Sequence, residues 1–268
     1  MNELDLKKLV KEYLQKIIND NKDKIKLIKE KPYKFRNVFI DGTCACLKSS
    51  LGNYTTMIKP KICTPQRNTC SLSSLSSKYK FEKIASKNKN AMIDRTPLNF
   101  LDWNKLWGVM SAVGYSKPAN LSKIRTLLDS FSVYDSSLRL EDENRYCSIF
   151  IIDSNTEEVR KRLNKRGDES DKLRSRWENY IEIQNEFYKQ KAQRTNSILI
   201  DLSEFSNLTA YTKALVLFIN HIQDLLHENV NIEEERFSDI LNLTDVRYLQ
   251  LQKPLNAQIF YEENIKEH

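Results

Sequence analysis

A lysine–serine pair near the N-terminal end of the chain has the spacing of a phosphate-binding loop. Lys48-Ser49 follows Gly42 as in the pattern G-x-x-x-x-G-K-[ST], whose backbone amides cradle phosphates. In such a loop the lysine neutralises phosphoryl oxygens and the serine hydroxyl binds Mg²⁺. Here Leu47 replaces the second glycine. Because glycine permits both the turn and the close approach of a phosphate, we expect Leu47 to crowd the ligand and the loop to hold no nucleotide.

Two further charged segments follow apolar runs of the chain. One contains Asp94-Arg95, and the other is the arginine- and lysine-rich stretch 160–168. Together with the loop, and in this order, they resemble the thymidylate kinase and deoxynucleoside kinase family over about residues 37–226. The resemblance implies a P-loop kinase fold, an arginine-bearing lid, and ATP and Mg²⁺ as cofactors. It also implies a nucleotide-binding role for Gly42, Lys48, Ser49, Asp94, Arg95, Arg162 and Arg166.

Two departures from the family pattern predict that this site is vestigial. One is Leu47. The other is the segment between Lys48 and Arg95, which is shorter than expected and rich in Ser, Thr and Cys where base-binding helices should lie. We therefore expect no catalytic residue, no cofactor and no enzymatic activity. Two alternatives stay open: an active viral thymidylate or deoxynucleoside kinase using ATP and Mg²⁺, and a nucleotide-binding pseudokinase that regulates a partner.

The elements that would position this site are short apolar strands separated by helical patterns. Such alternation is typical of a parallel sheet within an α/β layer. The predicted class is α/β and predominantly helical, with a small sheet whose strand-end aspartates lie where such folds bind ligands. The four predicted strands are Asn37–Asp41, Ala91–Asp94, Cys147–Asp153 and Ser197–Asp201.

Helical periodicity covers most of the remaining chain and suggests three parts. The parts are an N-terminal helical arm over 1–32, a kinase-like core over 33–228 and a C-terminal tail over 229–268. Thr156 is expected to cap its helix, and the stretch 51–77 is expected to be irregular. Helices are predicted over Leu4–Ile28, Leu98–Val113, Leu121–Phe131, Thr156–Leu163, Asp171–Gln193 and Asn207–Glu228.

The composition limits the classes of protein that fit. The 268 residues include 40% hydrophobic and 29% charged residues, enough for a buried core, and only 5 glycines, which disfavours a turn-rich all-β fold. The formal net charge of +7 is spread along the chain, so nucleic-acid binding is not expected. The charged N-terminus does not resemble a secretory signal, and no apolar run is long enough to span a membrane.

The five cysteines do not show the paired C-x-x-C spacing of a zinc site, so no metal is expected. Two interpretations remain open. The cysteines are either buried reduced thiols or partners in disulfides, including bonds between chains in an assembled particle. The disulfide candidates are Cys44, Cys46, Cys63, Cys70 and Cys147.

The altered kinase core within a Lys-, Asn- and Ile-rich chain is also similar to the occlusion-body matrix proteins (polyhedrins) of nudiviruses. This second resemblance implies a structural protein that assembles with copies of itself into a crystalline lattice. The lattice would form in the host cell nucleus, enclose virions and dissolve in alkali, with the terminal arms exchanged between copies and no membrane involved. Under the kinase alternative the location would be the cytoplasm.

Overall fold

The computed structural model describes most of the chain. It covers residues 3–30, 33, 36–48, 51, 62–63, 85–86, 91–115, 118–132 and 144–228. The predictions made for Ser49, Cys70 and the tail 229–268 lie outside these residues, as does the side chain of Cys63.

One parallel sheet forms the centre of the described part of the molecule. Its strands are β1 (Val38–Gly42), β2 (Ile62–Cys63), β3 (Met92–Asp94), β4 (Cys147–Ile152) and β5 (Ile198–Asp201). Their order across the sheet is β2-β3-β1-β4-β5. The central strand β1 pairs with β3 on one side and with β4 on the other, and Gly42 stands opposite Ile151.

The four predicted strands and their parallel pairing are confirmed. The two-residue strand β2, which lies in the stretch expected to be irregular, was missed because so short a segment has no readable period. Every residue of β1 and β4 is buried, as expected for strands covered on both faces. The fold class is therefore α/β, mostly helical with a small parallel sheet, as predicted.

Helices account for most of the described residues. They are α1 (Glu3–Asp20), α2 (Lys22–Glu30), α3 (Asn99–Val113), α4 (Leu121–Ser132), α5 (Thr156–Arg166), α6 (Glu169–Ser175), α7 (Tyr180–Arg194) and α8 (Leu208–Glu228). None of the described helices is long and apolar enough to cross a membrane.

The single helix predicted over Leu4–Ile28 is in fact two helices, α1 and α2, which meet at Asn21. The side-chain amide of this buried asparagine donates to the carbonyl of Ile17 at 3.0 Å and accepts from the amide of Leu199 at 3.3 Å. Asparagine side chains compete with the helical backbone for hydrogen bonds. The break thus joins the N-terminal helices to β5.

The N-terminal helices pack against α8 of the same chain. Val10, Leu14 and Ile17 of α1 and Ile25 and Ile28 of α2 are buried in the main hydrophobic core. The apolar stripe predicted from sequence is therefore covered within one molecule. Exchange of this segment between copies stays a prediction.

The helix predicted over Asp171–Gln193 is also broken, between α6 and α7. Arg160 binds the carbonyls exposed by the break: its guanidinium donates to Ser175 at 2.8 Å, Trp177 at 3.0 Å and Glu178 at 2.7 Å. A helix end leaves carbonyls without intrahelical partners, and a cationic side chain satisfies them. The arginine of the expected lid is thus part of a helix terminus.

A smaller correction concerns the start of α5. Its N-cap is Asn155, whose side chain accepts from the amide of Glu158 at 3.3 Å, rather than the predicted Thr156. Asparagine and threonine both serve at this position, so the pattern alone left a one-residue ambiguity.

Candidate functional site

The loop after β1 begins at a residue that must be glycine. Gly42 has φ of 137°, and an added Cβ would lie 1.9 Å from the carbonyl oxygen of Ile151 on β4. Real side chains do not approach backbone so closely. Glycine here allows two parallel strands to pair up to the start of the loop.

The next part of the loop has a concave backbone although it contains no further glycine. Ala45 and Leu47 have φ of 53° and 59°, in the left-handed region. Each such residue costs roughly 1–2 kcal/mol relative to a right-handed conformation. Alternation of left-handed and right-handed residues turns successive backbone amides toward one side, which is the geometry of an anion-binding nest. The side chain of Leu47 is half-buried and packs against the main hydrophobic core.

Protein groups already occupy the first amides of the loop. The amide of Thr43 donates to the carbonyl of Ile151 at 2.9 Å, and the amide of Cys44 donates to Oε1 of Gln184 at 3.0 Å. Residues 44–45 form a turn, and within the described residues the amides of Ala45 and Leu47 donate to no protein acceptor. The loop therefore has one saturated half and one half with free donors.

The lysine of the loop turns back on the loop itself. Nζ of Lys48 donates to the carbonyl oxygen of Gly42 at 2.8 Å and also to that of Thr43. Both acceptors are backbone groups of the segment that would surround a phosphate. The cation expected to meet phosphoryl oxygens thus satisfies carbonyls of its own loop.

The arginine expected to reach over the site from the lid is also bound to protein. Nε of Arg162 donates to the carbonyl of Ala45 at 2.8 Å, and its terminal nitrogen donates to the carboxylate of Asp153. Burial raises the pKa of Asp153, and the Arg162 guanidinium opposes that rise. Asp153 follows β4, so Arg162 connects the loop to the next strand end.

The remaining assigned arginines have partners as well. Nε of Arg166 lies 3.0 Å from Oδ2 of Asp171 in an ion pair at the start of α6. Arg95 has a left-handed φ of 81°, and its guanidinium donates to Oδ1 of Asn99 at 3.2 Å. Burial raises the pKa of Asp94, against the opposing charges of Arg95 and Lys48. The structure therefore brings Asp94, Arg95 and Lys48 together and keeps Arg166 at the helix α6.

Asp41 is the centre of a polar network that the motif analysis did not include among the site residues. Its carboxylate accepts from the amide of Gly42 at 2.9 Å, from Nδ2 of Asn99 at 2.6 Å and from the hydroxyl of Tyr188 at 3.0 Å. Burial raises the pKa of Tyr188 well above its ordinary value, and the nearby Asp41 charge adds to this. The carboxylate thus joins β1, α3 and α7.

Helix α7 contributes further polar groups beneath the loop. Asn185 accepts from the hydroxyl of Thr43 at 2.6 Å and donates to the carbonyl of Asp153 at 2.7 Å. Gln184, Asn185 and Tyr188 are all buried. One signal in the sequence could have indicated them: three uncharged polar residues within five positions of an otherwise charged helix.

The described cysteines are free thiols. Burial raises the pKa of Cys46 and of Cys147 to about 12, and it also raises the pKa of Cys44. Cys46 and Cys147 are almost fully buried, which fits buried reduced thiols and leaves these two out of reach of another chain. Disulfide formation by Cys44, Cys63 and Cys70 stays a prediction.

A cation site was also considered. No group of three or more His, Cys, Asp or Glu side chains within the described residues lies close enough together to hold a metal ion. Ser49, which the resemblance assigns to Mg²⁺, lies outside these residues. Among the described residues, the carboxylates near the loop are those of Asp41, Asp94 and Asp153. Each already interacts with a neighbouring hydrogen-bond donor or cation.

Comparisons with known proteins add a structural likeness. No family model matches the chain, and no curated protein matches it. A solved structure described as deoxyadenosine kinase from M. mycoides with bound dATP aligns with a TM-score of 0.42 and 20% sequence identity. The alignment covers 65% of this chain and 94% of that chain. The activity named there belongs to that protein, and the site of this chain is judged from its own contacts.

Proposed function

We propose that this chain is a structural protein that assembles with copies of itself into the crystalline lattice of a viral occlusion body, and that its kinase-like site is not catalytic. One observation supports the non-catalytic part of the proposal: Lys48 and Arg162, the cations assigned to phosphate, donate to carbonyls of the loop itself. The lattice part rests on the sequence resemblance. Both side chains donate hydrogen bonds to carbonyl oxygens of the loop. A phosphoryl-transfer site instead needs such cations directed at the transferred group.

Energetics support this interpretation. A phosphate could recruit Lys48 or Arg162 only if their present bonds to carbonyls and to the Asp153 carboxylate were exchanged. Hydrogen bonds that involve a charged group contribute about 1.5–3 kcal/mol each, so several of them resist rearrangement together. Removing Arg162 from Asp153 would also leave a buried carboxylate without its cation, which is costly.

The structural role is tested by expressing the full chain alone in insect cells. We expect dense nuclear inclusions whose thin sections show a regular lattice by electron microscopy. The Lys48→Ala variant should form the same inclusions, because the proposal gives Lys48 no role outside its own loop. Protein that stays dispersed and soluble in both cases would contradict the proposal.

A second candidate, an active nucleotide kinase, is favoured by the left-handed φ of Ala45 and Leu47 and by their amides, which have no acceptor among the described residues. These are the features that an anion-binding loop requires. The test is phosphoryl transfer from Mg·ATP to dTMP and to thymidine, with Lys48→Ala as the matched control. Turnover that the control abolishes would establish the kinase and overturn the structural proposal.

A further inference from the structure

An exposed aromatic patch lies at the α6–α7 break, where the ring of Trp177 contacts that of Tyr115. Its centre is the pair Tyr115 and Trp177; the name also covers Leu173, four residues before Trp177, and Leu121, which begins α4 two residues after Ala119. Tyr115 is 40% exposed, Leu121 is 49% exposed and Leu173 is 54% exposed. These are three of the four large hydrophobic side chains that are exposed among the described residues, and Leu4 on α1 is the fourth.

Backbone contacts hold the parts of this patch together. The rings of Tyr115 and Trp177 lie 4.7 Å apart. The amide of Glu178 donates to the carbonyl of Tyr115 at 3.1 Å, and the amide of Ala119 donates to Asn179 Oδ1 at 2.8 Å. The corner between α3 and α4 is therefore fixed against the α6–α7 break, and the patch is a preformed surface.

The interior side of the patch is built of aromatic rings. Trp107 lies 5.7 Å from Trp177 and 5.9 Å from Trp103, and Tyr180 lies 5.6 Å from Trp177. Large, stiff aromatic groups bury much area at a low cost in conformational entropy, which is why they dominate the centres of protein interfaces. An apolar surface with such a backing is suited to receive an apolar segment.

Basic side chains flank the patch. Lys172 and Arg176 lie on either side of Leu173, and Lys123 follows Leu121; all three are exposed. Exposed carboxylates at Glu169 and Glu178 lie on the same segment. Charge is therefore expected to set the orientation of a bound partner, with apolar burial supplying most of the affinity.

The chain contains a segment of matching chemistry beyond the end of α8. Residues 232–241, Ile-Glu-Glu-Glu-Arg-Phe-Ser-Asp-Ile-Leu, combine four carboxylates with Phe237, Ile240 and Leu241. Forty residues follow Glu228, and an extended chain spans about 3.3 Å per residue. A segment so placed can reach a neighbouring molecule.

We propose that residues 229–268 dock on the aromatic patch of a second copy of this chain, with Phe237 entering beside Trp177. This inference rests on the proposed assembly and names its contact. Donor and acceptor are different surfaces, so each copy can give one tail and receive another. A contact of this heterologous kind propagates without closing unless the rotation forms a ring, as a lattice requires.

The test uses the full chain and its self-association measured by sedimentation at neutral pH. Leu173→Asp places a charge on the patch, Phe237→Asp removes the tail anchor, and Leu4→Asp is the control at another exposed leucine, on α1. We expect the first two changes to weaken self-association at least tenfold and the control to change it less than twofold. Equal association of all three variants would overturn the proposal.

Mixing the two defective variants distinguishes exchange between copies from docking within one. Leu173→Asp retains an intact tail and Phe237→Asp retains an intact patch, so their mixture should form a heterodimer although each alone is monomeric. All three tryptophans of the chain belong to this cluster, so their fluorescence should shift on mixing. A fluorescence difference between variants without any change in mass would place the tail on its own molecule and overturn the proposal.

Failure of this contact is distinguishable from failure of the proposed function. If Leu173→Asp and Phe237→Asp still give lattice-bearing inclusions in cells, the contact is wrong and the assembly stands. If the contact is measured in solution but the unaltered chain forms no inclusions, the occlusion-body proposal is wrong and the contact stands.

Discussion

The loop end of the sheet and the aromatic patch differ in whether their side chains are paired within the molecule or exposed to solvent. At the loop, Lys48, Arg162 and Asp41 each bind several groups of the same chain. At the patch, Tyr115 and Leu173 expose large apolar surface to solvent. Charged groups satisfied inside a molecule stabilise its fold, whereas exposed apolar groups mark a surface that gains from contact with something else.

The difference separates groups paired within the molecule from groups that are open to a contact. Charged groups in a partly buried site need partners within the molecule when no ligand pairs with them, because unpaired buried charges are costly. The polar network around Asp41 and Arg162 meets that requirement and stabilises the junction of sheet and helices. The exposed side chains Tyr115 and Leu173 have no such role within the described residues, and the proposed tail contact would cover them.

The largest effect is expected at the start of the loop. Gly42→Ala would place a Cβ 1.9 Å from the Ile151 carbonyl oxygen and would strain a φ of 137°. We expect destabilisation by more than about 4 kcal/mol, enough to remove most folded protein. Chemical denaturation followed by circular dichroism measures it. Gly114→Ala is the matched control, since its φ of 90° is also positive but its Cβ would meet nothing within 4 Å.

The next largest effect concerns the ion pair beneath the loop end. Nζ of Lys191 lies 2.6 Å from Oδ2 of Asp102, and both side chains are almost fully buried. Lys191→Met alone should cost about 3–5 kcal/mol, because it leaves a buried carboxylate without its cation. Combining it with Asp102→Leu should recover most of that loss. A double variant as unstable as the single one would show that the pair contributes through packing.

A third prediction concerns alkali. The pKa of Cys46 and of Cys147 is raised by burial to about 12 in the folded chain, against about 9 when exposed. Above pH 9 the unfolded chain loses protons that the folded chain keeps, so stability falls as pH rises toward 12. The loss is roughly 4 kcal/mol per thiol at most.

If the chain forms the proposed occlusion bodies, they should persist near neutral pH and dissolve in strong alkali, where exposed lysines and tyrosines also change charge. Turbidity against pH measures dissolution, and denaturation at each pH measures the fold. The variant Cys46→Ala/Cys147→Ala should show a shallower decline of stability between pH 9 and 12. Dissolution at neutral pH in ordinary salt would contradict the lattice.

The smallest effect is expected at Leu47. Leu47→Gly relieves a left-handed φ of 59° but removes a side chain that packs against the core. The two contributions oppose each other, and the net change in unfolding free energy should stay within about 1 kcal/mol. The same variant tests the loop directly, because a loop that needed only this glycine would gain ATP binding, measured by calorimetry. We expect none while Lys48 and Arg162 bind the loop carbonyls.

The hydrophobic periodicity of the sequence was enough to predict the parallel sheet and most of the helices. Runs such as Cys147–Ile152 and Leu208–Glu228 are long or apolar enough that burial dictates their conformation. The breaks were not predictable in the same way. Asn21 and Arg160 end or join helices through partners far away in the chain, so no local pattern identifies them.

The same distinction between local pattern and distant contact applies to the candidate site. The sequence by itself determined which residues stand in the loop and at the strand ends, since Gly42, Lys48 and Asp94 follow from spacing along strands whose direction is known. Only the tertiary structure decided what those residues do. Whether Lys48 faces a ligand or its own carbonyls, and whether Tyr115 and Leu173 form one surface, depends on contacts between segments distant in sequence. Their free energies come from burial and charge pairing that exist only after the chain has folded.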